Sequence, residues 1–264
     1  MTKVLILAAG QGTRLRPLTN DKPKCLVPLL GRSLLARQVA TLEKAGIEKI
    51  HIATGYRRDQ IEKLGFETSF NQRFAETNMV ETLFCAMDYI KQSAELGEDL
   101  IIAYGDIVYQ DENLAKLLTC DDEIALMIDA KWEDLWRLRL ENPLDDAETL
   151  IVNANGYVIE LGKKTDSYER IQGQYTGLIK LRANKINDFI NFYQKMDRNA
   201  HYDGKDFDNM YMTSFLQLLI DAGWQAKAAV VNSGWLEIDS VDDLEQYESM
   251  YNKGELDPFY RVES

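Results

Sequence analysis

Apolar runs of strand length alternate with amphipathic segments through the first half of this chain of 264 residues. VLILAA, DLIIAYGD and EIALMIDA are nearly continuous apolar runs, which is typical of parallel strands covered on both faces. IEKIHIATG is interpreted as a further strand. Between the runs, SLLARQVATLEKAG places Leu35, Val39 and Leu42 at helical spacing and ends at Gly46. The alternation predicts a mostly parallel sheet with helices on both faces.

The pattern changes after about residue 130. LIVNANGYVIEL predicts a β-hairpin around Asn155 and Gly156, because Asn-Gly is the strongest short hairpin signal. YTGLIKLR predicts a strand, AKAAVV leads into the extended segment NSGWLEID, and NKINDFINFYQKM and YMTSFLQLLIDAG predict amphipathic helices. Since no linker or internal repeat interrupts the chain, we expect a single domain over residues 1–264, with a loosely packed tail NKGELDPFYRVES.

Two segments carry the pattern of an N-terminal capping box, in which a short polar side chain is followed three residues later by an acidic one. Asn78 with Glu81 predicts the start of a helix that carries apolar residues as far as Ile90 on one face. Ser240 with Asp243 predicts the start of the last helix.

The acidic balance limits the partners of this chain. A net charge of −13 and a pI near 4.7 argue against nucleic acid or an anionic membrane surface. No apolar run reaches the roughly 18 residues that a membrane helix needs, and we interpret the N-terminus as a core strand rather than a signal peptide.

The spacing of Cys25, Cys85 and Cys120 fits reduced thiols and a cytoplasmic location. With only two histidines, a hard cation on carboxylates is favoured over a histidine metal site.

A glycine-rich, basic loop follows the first apolar run. VLILAAG continues into QGTRLRPLTNDKPK, which is basic on an acidic chain, so we expect a local, negatively charged ligand. Gly10 and Gly12 would let backbone N–H groups approach phosphate oxygens. Arg14 can pair with a phosphate in a forked manner, and Lys24 can add a point charge. The loop is neither a Walker A motif nor GxGxxG, and the glycine pair by itself equally fits a tight turn.

A second polar feature ends another predicted strand, where Gly105 and Asp106 follow IIAY. Ligands of open α/β sheets bind beyond the carboxyl ends of the strands, so we expect Asp106 and the basic loop to share one site. The alternative for Asp106 is a turn or cap residue.

The segment GQGTRLRPLTNDKPKCLVPLLGRSLL resembles the signature of the nucleotidyltransferase family, which joins an NTP to a phosphorylated small molecule. Sugar-nucleotide pyrophosphorylases carry GxGTRL-x-PLT…PK at this place. ETNMVETL is similar to the ETN-x-x-x-SL element of the phosphocholine cytidylyltransferase-like branch. GQYTGLIK and GWLEIDS are similar to that branch and to its phosphonate cytidylyltransferase relatives. The resemblance spans roughly residues 3 to 245.

The resemblance implies a Rossmann-like three-layer α/β fold of the glycosyltransferase-A-like kind. Its mostly parallel mixed sheet would carry a small β-hairpin and helical elaboration on the acceptor side. The implied activity is Mg²⁺-dependent transfer from CTP to a small phosphomonoester or phosphonate, such as phosphocholine or 2-aminoethylphosphonate, with release of pyrophosphate. The nucleotide-binding part would cover about residues 1–130, and the acceptor-binding part with the second metal ligand about residues 131–250.

The resemblance also implies roles for charged residues. Asp106 and Asp239 match the two metal-binding aspartates, and Glu237 would face the same side of its strand as Asp239. Arg14 and Lys24 match the pair that neutralises the phosphates. For Asp239 the alternative is a helix cap, although Ser240 already suits that position.

Lys164, in LGKKT, fits the place where relatives hold the acceptor phosphate better than Lys163 does. The alternative for Lys164 is a solvated position on the hairpin.

Further ligand-contacting residues follow from the same resemblance. The implied nucleotide-binding residues are Leu7, Ala8, Ala9, Gly10, Gly12, Thr13, Arg14, Lys24, Gly55, Tyr56, Asn78, Thr82 and Asp106. The candidates for acceptor binding are Tyr175, Trp132, Trp136 and Asp208. An aromatic wall beside a carboxylate can hold a trimethylammonium or amine by cation–π contact. The alternatives are that Asn78 only caps a helix, that the aromatic side chains are core, and that Asp208 only leads into a helix.

Two other functions stay open from the sequence. A sugar-1-phosphate nucleotidyltransferase using UTP or dTTP would usually carry an EYxxTGG-like element, whereas this chain has QYTGL. A catalytically silent nucleotide-binding regulator is disfavoured because both candidate metal aspartates, the arginine and the lysine are present. Pyrophosphate release with each NTP, with and without acceptors, separates these functions. The sequence leaves open the acceptor and whether the chain forms a homodimer.

Overall fold

The computed structural model describes residues 1–262, so the final two residues of the predicted C-terminal tail lie outside the described part. The strands are β1 (Thr2–Ala8), β2 (Pro28–Leu29), β3 (Arg32–Ser33), β4 (Ile50–Thr54), β5 (Glu67–Phe70), β6 (Asp99–Tyr104), β7 (Ile107–Tyr109), β8 (Ile124–Asp129), β9 (Glu148–Val152), β10 (Val158–Lys164), β11 (Gln174–Leu181), β12 (Ala226–Val231) and β13 (Trp235–Glu237). The α-helices are α1 (Leu34–Lys44), α2 (Arg58–Glu62), α3 (Met79–Phe84), α4 (Met87–Glu95), α5 (Asp111–Leu118), α6 (Trp132–Arg139), α7 (Ile186–Lys195), α8 (Met212–Asp221) and α9 (Val241–Lys253). None of the helices within residues 1–262 combines the length and the apolar character that spanning a bilayer requires.

A seven-stranded sheet runs through the molecule in the order β12-β8-β11-β6-β1-β4-β5. β1 pairs in parallel with β4 and β6, β4 pairs in parallel with β5, and β8 pairs in parallel with β12. Of these seven strands, only β11 is reversed, and it is antiparallel to both β6 and β8. The predicted mostly parallel mixed sheet is therefore confirmed.

Alternate side chains of the central strand enter different cores. On β1, Val4 and Ile6 belong to one buried cluster, and Leu5 and Leu7 belong to the other. Helices α1, α5, α6 and α9 contribute to the first cluster, whereas α3, α4, α7 and α8 contribute to the second. Because both faces of the strand are covered, the apolar run has no polar alternation. This arrangement is the three-layer α/β fold that the sequence predicted.

The predicted hairpin is formed by β9 and β10, which pair antiparallel. It packs against α8, where the backbone N–H of Leu161 donates to Oε1 of Gln217 at 2.8 Å. Gly162 lies at the contact with φ of +82°, and a Cβ there would be 2.6 Å from Cβ of Thr213. A larger residue would separate the hairpin from the helix, so glycine is required at this close approach.

The prediction of one continuous helix from Asn78 to Ile90 is wrong, because two separate helices, α3 and α4, cover this segment. Asn78 caps α3, but Glu81 does not complete a capping box. Its carboxylate instead accepts a hydrogen bond from the Tyr193 hydroxyl of α7. Glu81 therefore bonds to a residue of another helix instead of to the backbone at the start of its own helix.

The box at the start of α9 is confirmed. The backbone N–H of Asp243 donates to the Ser240 hydroxyl at 3.1 Å, and the Asp243 carboxylate accepts from the Ser240 backbone at 2.9 Å.

The expectation of a loosely packed tail is also wrong for its described residues. Leu256 and Tyr260 are buried and join the first core cluster. The backbone carbonyl of Phe259 accepts a hydrogen bond from Gly234 at 2.7 Å. The segment is thus fastened by its backbone to the turn before β13 and by its apolar side chains to the core.

Candidate active site

Three strand ends approach one another closely at one edge of the main sheet. A Cβ on Gly55, just after β4, would lie 2.6 Å from the Ala9 carbonyl oxygen, and a Cβ on Gly105, just after β6, would lie 2.7 Å from the Leu7 carbonyl oxygen. The backbone N–H groups of Tyr56 and Gly105 donate to these two carbonyls at 3.0 and 2.9 Å. Both glycines are therefore required by the backbone contacts that flank the end of β1.

The basic loop folds back so that Lys24 reaches this edge. Gly12 has φ of +70°, and a Cβ there would lie 3.0 Å from the side chain of Lys24. The Thr19 hydroxyl donates to the Gly12 carbonyl at 2.7 Å and fixes the turn. The backbone N–H of Lys24 faces the Gly10 carbonyl at 3.4 Å. Glycine at position 12 thus leaves room for the side chain of Lys24. A tight turn alone would not require this space.

A cleft of about 160 Å³ opens beside these strand ends. Its lining residues are Leu7, Ala8, Ala9, Gly10, Lys24, Cys25, Phe74, Thr77, Asn78, Met79, Thr82, Gly105 and Asp106. Most of the predicted nucleotide-binding residues are among them. Sequence reasoning missed Cys25, Phe74 and Met79 as cleft residues, whereas the resemblance had already placed Thr77 beside Asn78 close to the base or ribose. All but Phe74 adjoin a predicted residue in the chain, whereas nothing in the local sequence around Phe74 points to a ligand.

The other predicted nucleotide-binding residues lie outside this lining. Thr13 and Arg14 belong to a 3₁₀ turn, and the Arg14 side chain is 68% exposed. The Tyr56 hydroxyl donates to the Asn20 carbonyl at 2.6 Å. Gly12 and Gly55 shape the neighbouring backbone as described above.

Asn78 has both of the functions considered for it within reach. Its side-chain oxygen accepts from the backbone N–H of Met79 at 2.8 Å, which caps α3. The same residue lines the cleft and an adjoining pocket. Nearby, the Asn71 amide donates to the hydroxyls of Thr77 and Thr82 at 3.0 Å each. The side-chain Nδ2 of Asn78 also faces the Asn209 carbonyl at 3.4 Å. The role of Asn78 in nucleotide binding therefore stays a prediction.

Three carboxylates converge where the cleft meets the adjoining pocket. Asp106 lies between β6 and β7, and β7 pairs antiparallel with β13 so that Ile107 lies opposite Glu237. The backbone N–H of Ile238 donates to the Asp106 carbonyl at 3.1 Å. As a result, one carboxylate oxygen each from Asp106, Glu237 and Asp239 lies within 4.8 Å of the others. The structure brings together the three residues predicted to hold a metal.

Two cations of the basic loop pair with this cluster. Nζ of Lys24 lies 2.6 Å from Oδ2 of Asp106 and also bonds the Asp239 carboxylate. The Arg14 guanidinium donates to Oδ2 of Asp239 at 2.8 Å. Burial disfavours the charged form of Lys24, but the two carboxylates outweigh it and raise the pKa of Lys24 above its usual value. Lys24 is therefore a permanently charged group in the centre of the site.

A third cation, Arg139 at the end of α6, supports the cluster and was not predicted. It donates to Glu237 at 2.6 Å and to Asp243 at 2.9 Å, and it lies 3.7 Å from Asp239. Its side chain is only 7% exposed. No periodicity or motif distinguished this arginine from its neighbours on the helix, because its partners lie about a hundred residues away in the chain.

Burial and neighbouring charges act in opposite directions on the pKa values of Glu237 and Asp239. Burial raises the pKa of Glu237 above its usual range despite the nearby Arg139 guanidinium, and the carboxylates of Asp239 and Asp106 add to the rise. Burial acts likewise on Asp239, but Lys24 and the two arginines outweigh it and hold the pKa of that carboxyl below its usual range.

The cluster fits a hard divalent cation. Carboxylate oxygens are the ligands that Mg²⁺ prefers in proteins. Oδ1 of Asp106 is buried and has no hydrogen-bond partner within residues 1–262. A buried carboxylate oxygen without a partner is costly unless a cation meets it. Asp106 therefore offers a free ligand atom to the space between the three carboxylates.

The adjoining pocket has a volume of about 320 Å³ and shares Asn78 and Met79 with the cleft. It is lined by aromatic residues, by three carboxylates and by hydroxyl and amide side chains. Its lining residues are Asn78, Met79, Tyr104, Trp136, Asp146, Glu148, Gln174, Tyr175, Thr176, Gly177, Tyr211, Met212, Thr213, Trp235 and Glu237. Tyr175 and Trp136, both predicted for the acceptor, line this pocket. The sequence reasoning did not identify Asp146 and Glu148.

The other predicted acceptor residues lie elsewhere. Trp132 is buried and stacks on Tyr168 with ring centroids 6.1 Å apart, so it serves as core. Asp208 forms an ion pair with Arg73 at 2.5 Å. Lys164 is exposed, and its Nζ donates to the Asp145 carbonyl at 3.2 Å. None of the three predicted residues lines the pocket.

Comparison of the sequence with known proteins shows the family to which this chain belongs. Residues 4–134 match the MobA-like NTP transferase domain. The CTP:phosphoglutamine cytidylyltransferase of Campylobacter jejuni subsp. jejuni serotype O:2 is 45% identical over 246 residues, which cover 91% of this chain and 97% of that protein.

Two solved structures share the fold. The inositol-1-phosphate CTP transferase from T. maritima has a TM-score of 0.74 at 21% identity and covers 99% of this chain and 98% of its own. The CTP:phosphocholine cytidylyltransferase from Streptococcus pneumoniae has a TM-score of 0.68 at 22% identity and covers 95% of this chain and 99% of its own. The chain belongs to the nucleotidyltransferase family, within its branch of cytidylyltransferases that act on phosphorylated small molecules.

Proposed function

We propose that this protein is a Mg²⁺-dependent cytidylyltransferase that couples CTP to phosphoglutamine, or to a closely similar phosphorylated acceptor, and releases pyrophosphate. The observation that carries the proposal is the contact of Lys24 with Asp106 and Asp239 at the junction of two pockets. A phosphate-binding lysine, a metal-binding carboxylate pair and room for two substrates are what nucleotidyl transfer needs at one place. The acceptor is proposed from the name and the 45% identity of the Campylobacter relative.

In this proposal the two parts of a single domain hold different substrates. The cleft, formed within about residues 1–130, binds CTP, with the backbone around Gly10 beside the triphosphate and Asn78 beside the base or ribose. About residues 131–250 supply most of the second pocket, which binds the acceptor. Met79 and Asn78 lie at the boundary, so the reacting phosphates would meet next to the carboxylate cluster.

Asp106, Asp239 and Glu237 would hold Mg²⁺. When bound there, Mg²⁺ neutralises charge on the triphosphate oxygens and on the departing pyrophosphate. Lys24 and Arg14, which face the same carboxylates, would bind phosphate oxygens and add to this neutralisation.

The chemical step is in-line displacement at the α-phosphorus of CTP. A phosphoryl oxygen of the acceptor forms the new P–O bond, and the bond to the β-phosphate oxygen breaks to release pyrophosphate. The attacking oxygen is ionised at neutral pH, so the reaction needs no general base. The residues of the site therefore act by positioning the two phosphates and by stabilising the charge that develops on the leaving group.

Pyrophosphate release from the purified protein tests this function. Phosphoglutamine is supplied with CTP, UTP, dTTP, ATP or GTP, in the presence of Mg²⁺ or of EDTA. We expect release with CTP and Mg²⁺, and loss of release with EDTA. Faster turnover of a sugar 1-phosphate with UTP or dTTP would replace the proposal by the sugar-nucleotide function. Tight nucleotide binding without turnover of any combination of nucleotide and acceptor would favour a catalytically silent regulator.

A further inference from the structure

Glu148 is a polar residue of the second pocket that has no assigned role. It is the first residue of β9, it is half-buried, and its side chain lines the pocket together with Asp146. Among the described residues, Lys164 is a basic side chain whose charge acts on Glu148. Its ammonium donates to the Asp145 carbonyl. The pocket therefore contains a half-buried carboxylate that has, within residues 1–262, only the Thr213 hydroxyl and the more distant charge of Lys164 in its favour.

The structural role at position 148 is filled by the backbone. The backbone N–H of Glu148 donates to Oε1 of Gln174 at 3.2 Å, and the backbone carbonyl accepts from Nε2 of the same side chain at 2.6 Å. These two bonds fasten the start of β9 to the start of β11. The fold therefore does not need a carboxylate at this position, and a glutamine would keep both bonds.

Burial makes the charged form of the Glu148 carboxylate costly, so a bound cation would stabilise it. Burial raises the pKa of Glu148, and the carboxylates of Asp146 and Asp203 add to the rise. The Thr213 hydroxyl and the charge of Lys164 favour the ionised form but do not outweigh burial. A positive ligand group would remove the cost of desolvating this side chain.

Aromatic side chains line the same pocket as the carboxylate. The rings of Tyr104 and Tyr175 meet edge to face with centroids 5.8 Å apart. Nε1 of Trp136 donates to Oδ2 of Asp146 at 3.1 Å, which fixes the indole in the pocket wall. A carboxylate among aromatic faces is an environment that favours an ammonium over a hydroxyl or an anion.

We infer that Glu148 binds an ammonium group of the acceptor and selects phosphorylated molecules that carry a free amine. This inference rests on the proposed function, because it takes the second pocket as the acceptor site. The pocket is lined by Glu237, which belongs to the carboxylate cluster, and by Glu148 from a separate part of the chain. One molecule can thus present its phosphoryl group to the cluster and its amine to Glu148. The α-ammonium of phosphoglutamine meets this requirement.

Acceptors without an amine are disfavoured by the same contact. They would desolvate Glu148 without giving it a partner, and sites built around a polar contact discriminate strongly against analogues that lack it. A sugar 1-phosphate without an amine falls in this group.

Steady-state kinetics with Glu148→Gln test the inference on a matched pair of acceptors. The pair is phosphoglutamine and its desamino analogue, in which hydrogen replaces the α-ammonium. We expect the wild-type protein to prefer phosphoglutamine by about tenfold or more, and the variant to lose this preference through a higher KM for phosphoglutamine. The kcat and the KM for CTP should change little. Glu160→Gln is the control, because Glu160 lies on β10 outside the pocket lining and pairs with Arg170.

An equal loss with both acceptors, or a KM that does not change in the variant, would overturn the inference. The wild-type comparison needs no variant, so a folding defect in Glu148→Gln cannot hide the answer.

Calorimetric binding of both acceptors separates this inference from the proposed reaction. Preferential, Glu148-dependent binding of the amine without turnover would refute the reaction and support the ammonium site. Equal binding of the two acceptors by the wild-type protein would refute the ammonium site.

Discussion

Nζ of Lys24 lies 2.6 Å from Oδ2 of Asp106, in the space where the carboxylates of two distant chain segments meet. The same ammonium also bonds Asp239. The lysine thus takes the position that a cation held by both aspartates would occupy. If the two aspartates held Mg²⁺, Lys24 would be released from them to bind phosphate oxygens of CTP. Binding of metal and of nucleotide would then depend on each other.

Lys24→Met tests this competition. Removal of the ammonium should strengthen binding of Mn²⁺, used as a paramagnetic substitute for Mg²⁺, by about tenfold in the absence of nucleotide, since the carboxylates lose a competing cation. Turnover should fall by about 10²–10³-fold because a phosphate-binding charge is lost. Electron paramagnetic resonance titration measures the first effect and pyrophosphate release the second. Lys22→Met, in the same loop, is the control. Weaker metal binding in Lys24→Met would contradict the competition.

Asp106→Asn and Asp239→Asn test the metal assignment. Each variant should lose at least about 10³-fold in turnover, because each removes a charged ligand of the cation that neutralises the phosphates. The melting temperature should change little, since the substitutions preserve shape and remove charge from a crowded acidic cluster. Asp242→Asn, an exposed position in the first turn of α9, should behave as wild type. Wild-type turnover in either cluster variant would refute the assignment.

Arg139 is expected to position the metal ligands. Arg139→Met would leave Glu237 and Asp243 without their buried partner, so we expect a melting temperature several degrees lower. Unlike Lys24, Arg139 holds Glu237 in place from the side of α6, so its loss should disorder a metal ligand and raise the concentration of Mg²⁺ for half-maximal rate by about tenfold. Arg139→Lys should recover part of both losses.

The matched control is Arg137→Met on the same helix, because Arg137 only forms an exposed pair with Glu133. A stability loss in Arg139→Met with an unchanged Mg²⁺ requirement would make the arginine purely structural.

Two glycines of the site should respond differently to alanine. A Cβ on Gly105 would lie 2.7 Å from the Leu7 carbonyl oxygen, so Gly105→Ala should cost about 1–3 kcal/mol of stability. A Cβ on Gly10 would meet no protein atom within 4 Å, so Gly10→Ala should keep the melting temperature but weaken CTP binding by obstructing the triphosphate. Thermal unfolding and calorimetric titration with CTP measure the two effects. Unchanged CTP affinity in Gly10→Ala would place the nucleotide elsewhere.

Local pattern predicted the elements that build the site. The apolar run of β1 and the glycine-rich turn after it could be read within about twenty residues, because burial on both faces and backbone approach leave direct marks on composition. Asp106 followed from its position after a predicted strand, and the resemblance to the family implied Asp239 and the metal-binding role of both. Glu237 followed from its position two residues before Asp239 on one strand.

Other features needed the order of strands. The direction of β11 was not predicted, since a buried strand has the same composition in either orientation. Arg139 and Glu148 carry no local signal, because an arginine near a helix end and a glutamate at a strand start are ordinary on any solvated surface. Their burial beside the site depends on partners that are remote in the chain.

The sequence by itself determined the alternating α/β architecture, the loop that brings Lys24 to a strand end and the carboxylates offered to a cation. The architecture and the loop depend on periodicity and turn chemistry, which act over short stretches of chain, whereas the role of the carboxylates was implied by the resemblance of their motifs to those of the family. Only the tertiary structure decided that β13 pairs with β7, that Lys24 lies between Asp106 and Asp239, and that Glu148 faces an aromatic pocket. Those contacts join segments up to more than two hundred residues apart, and their geometry is set by the packing of the whole sheet and its two helical layers.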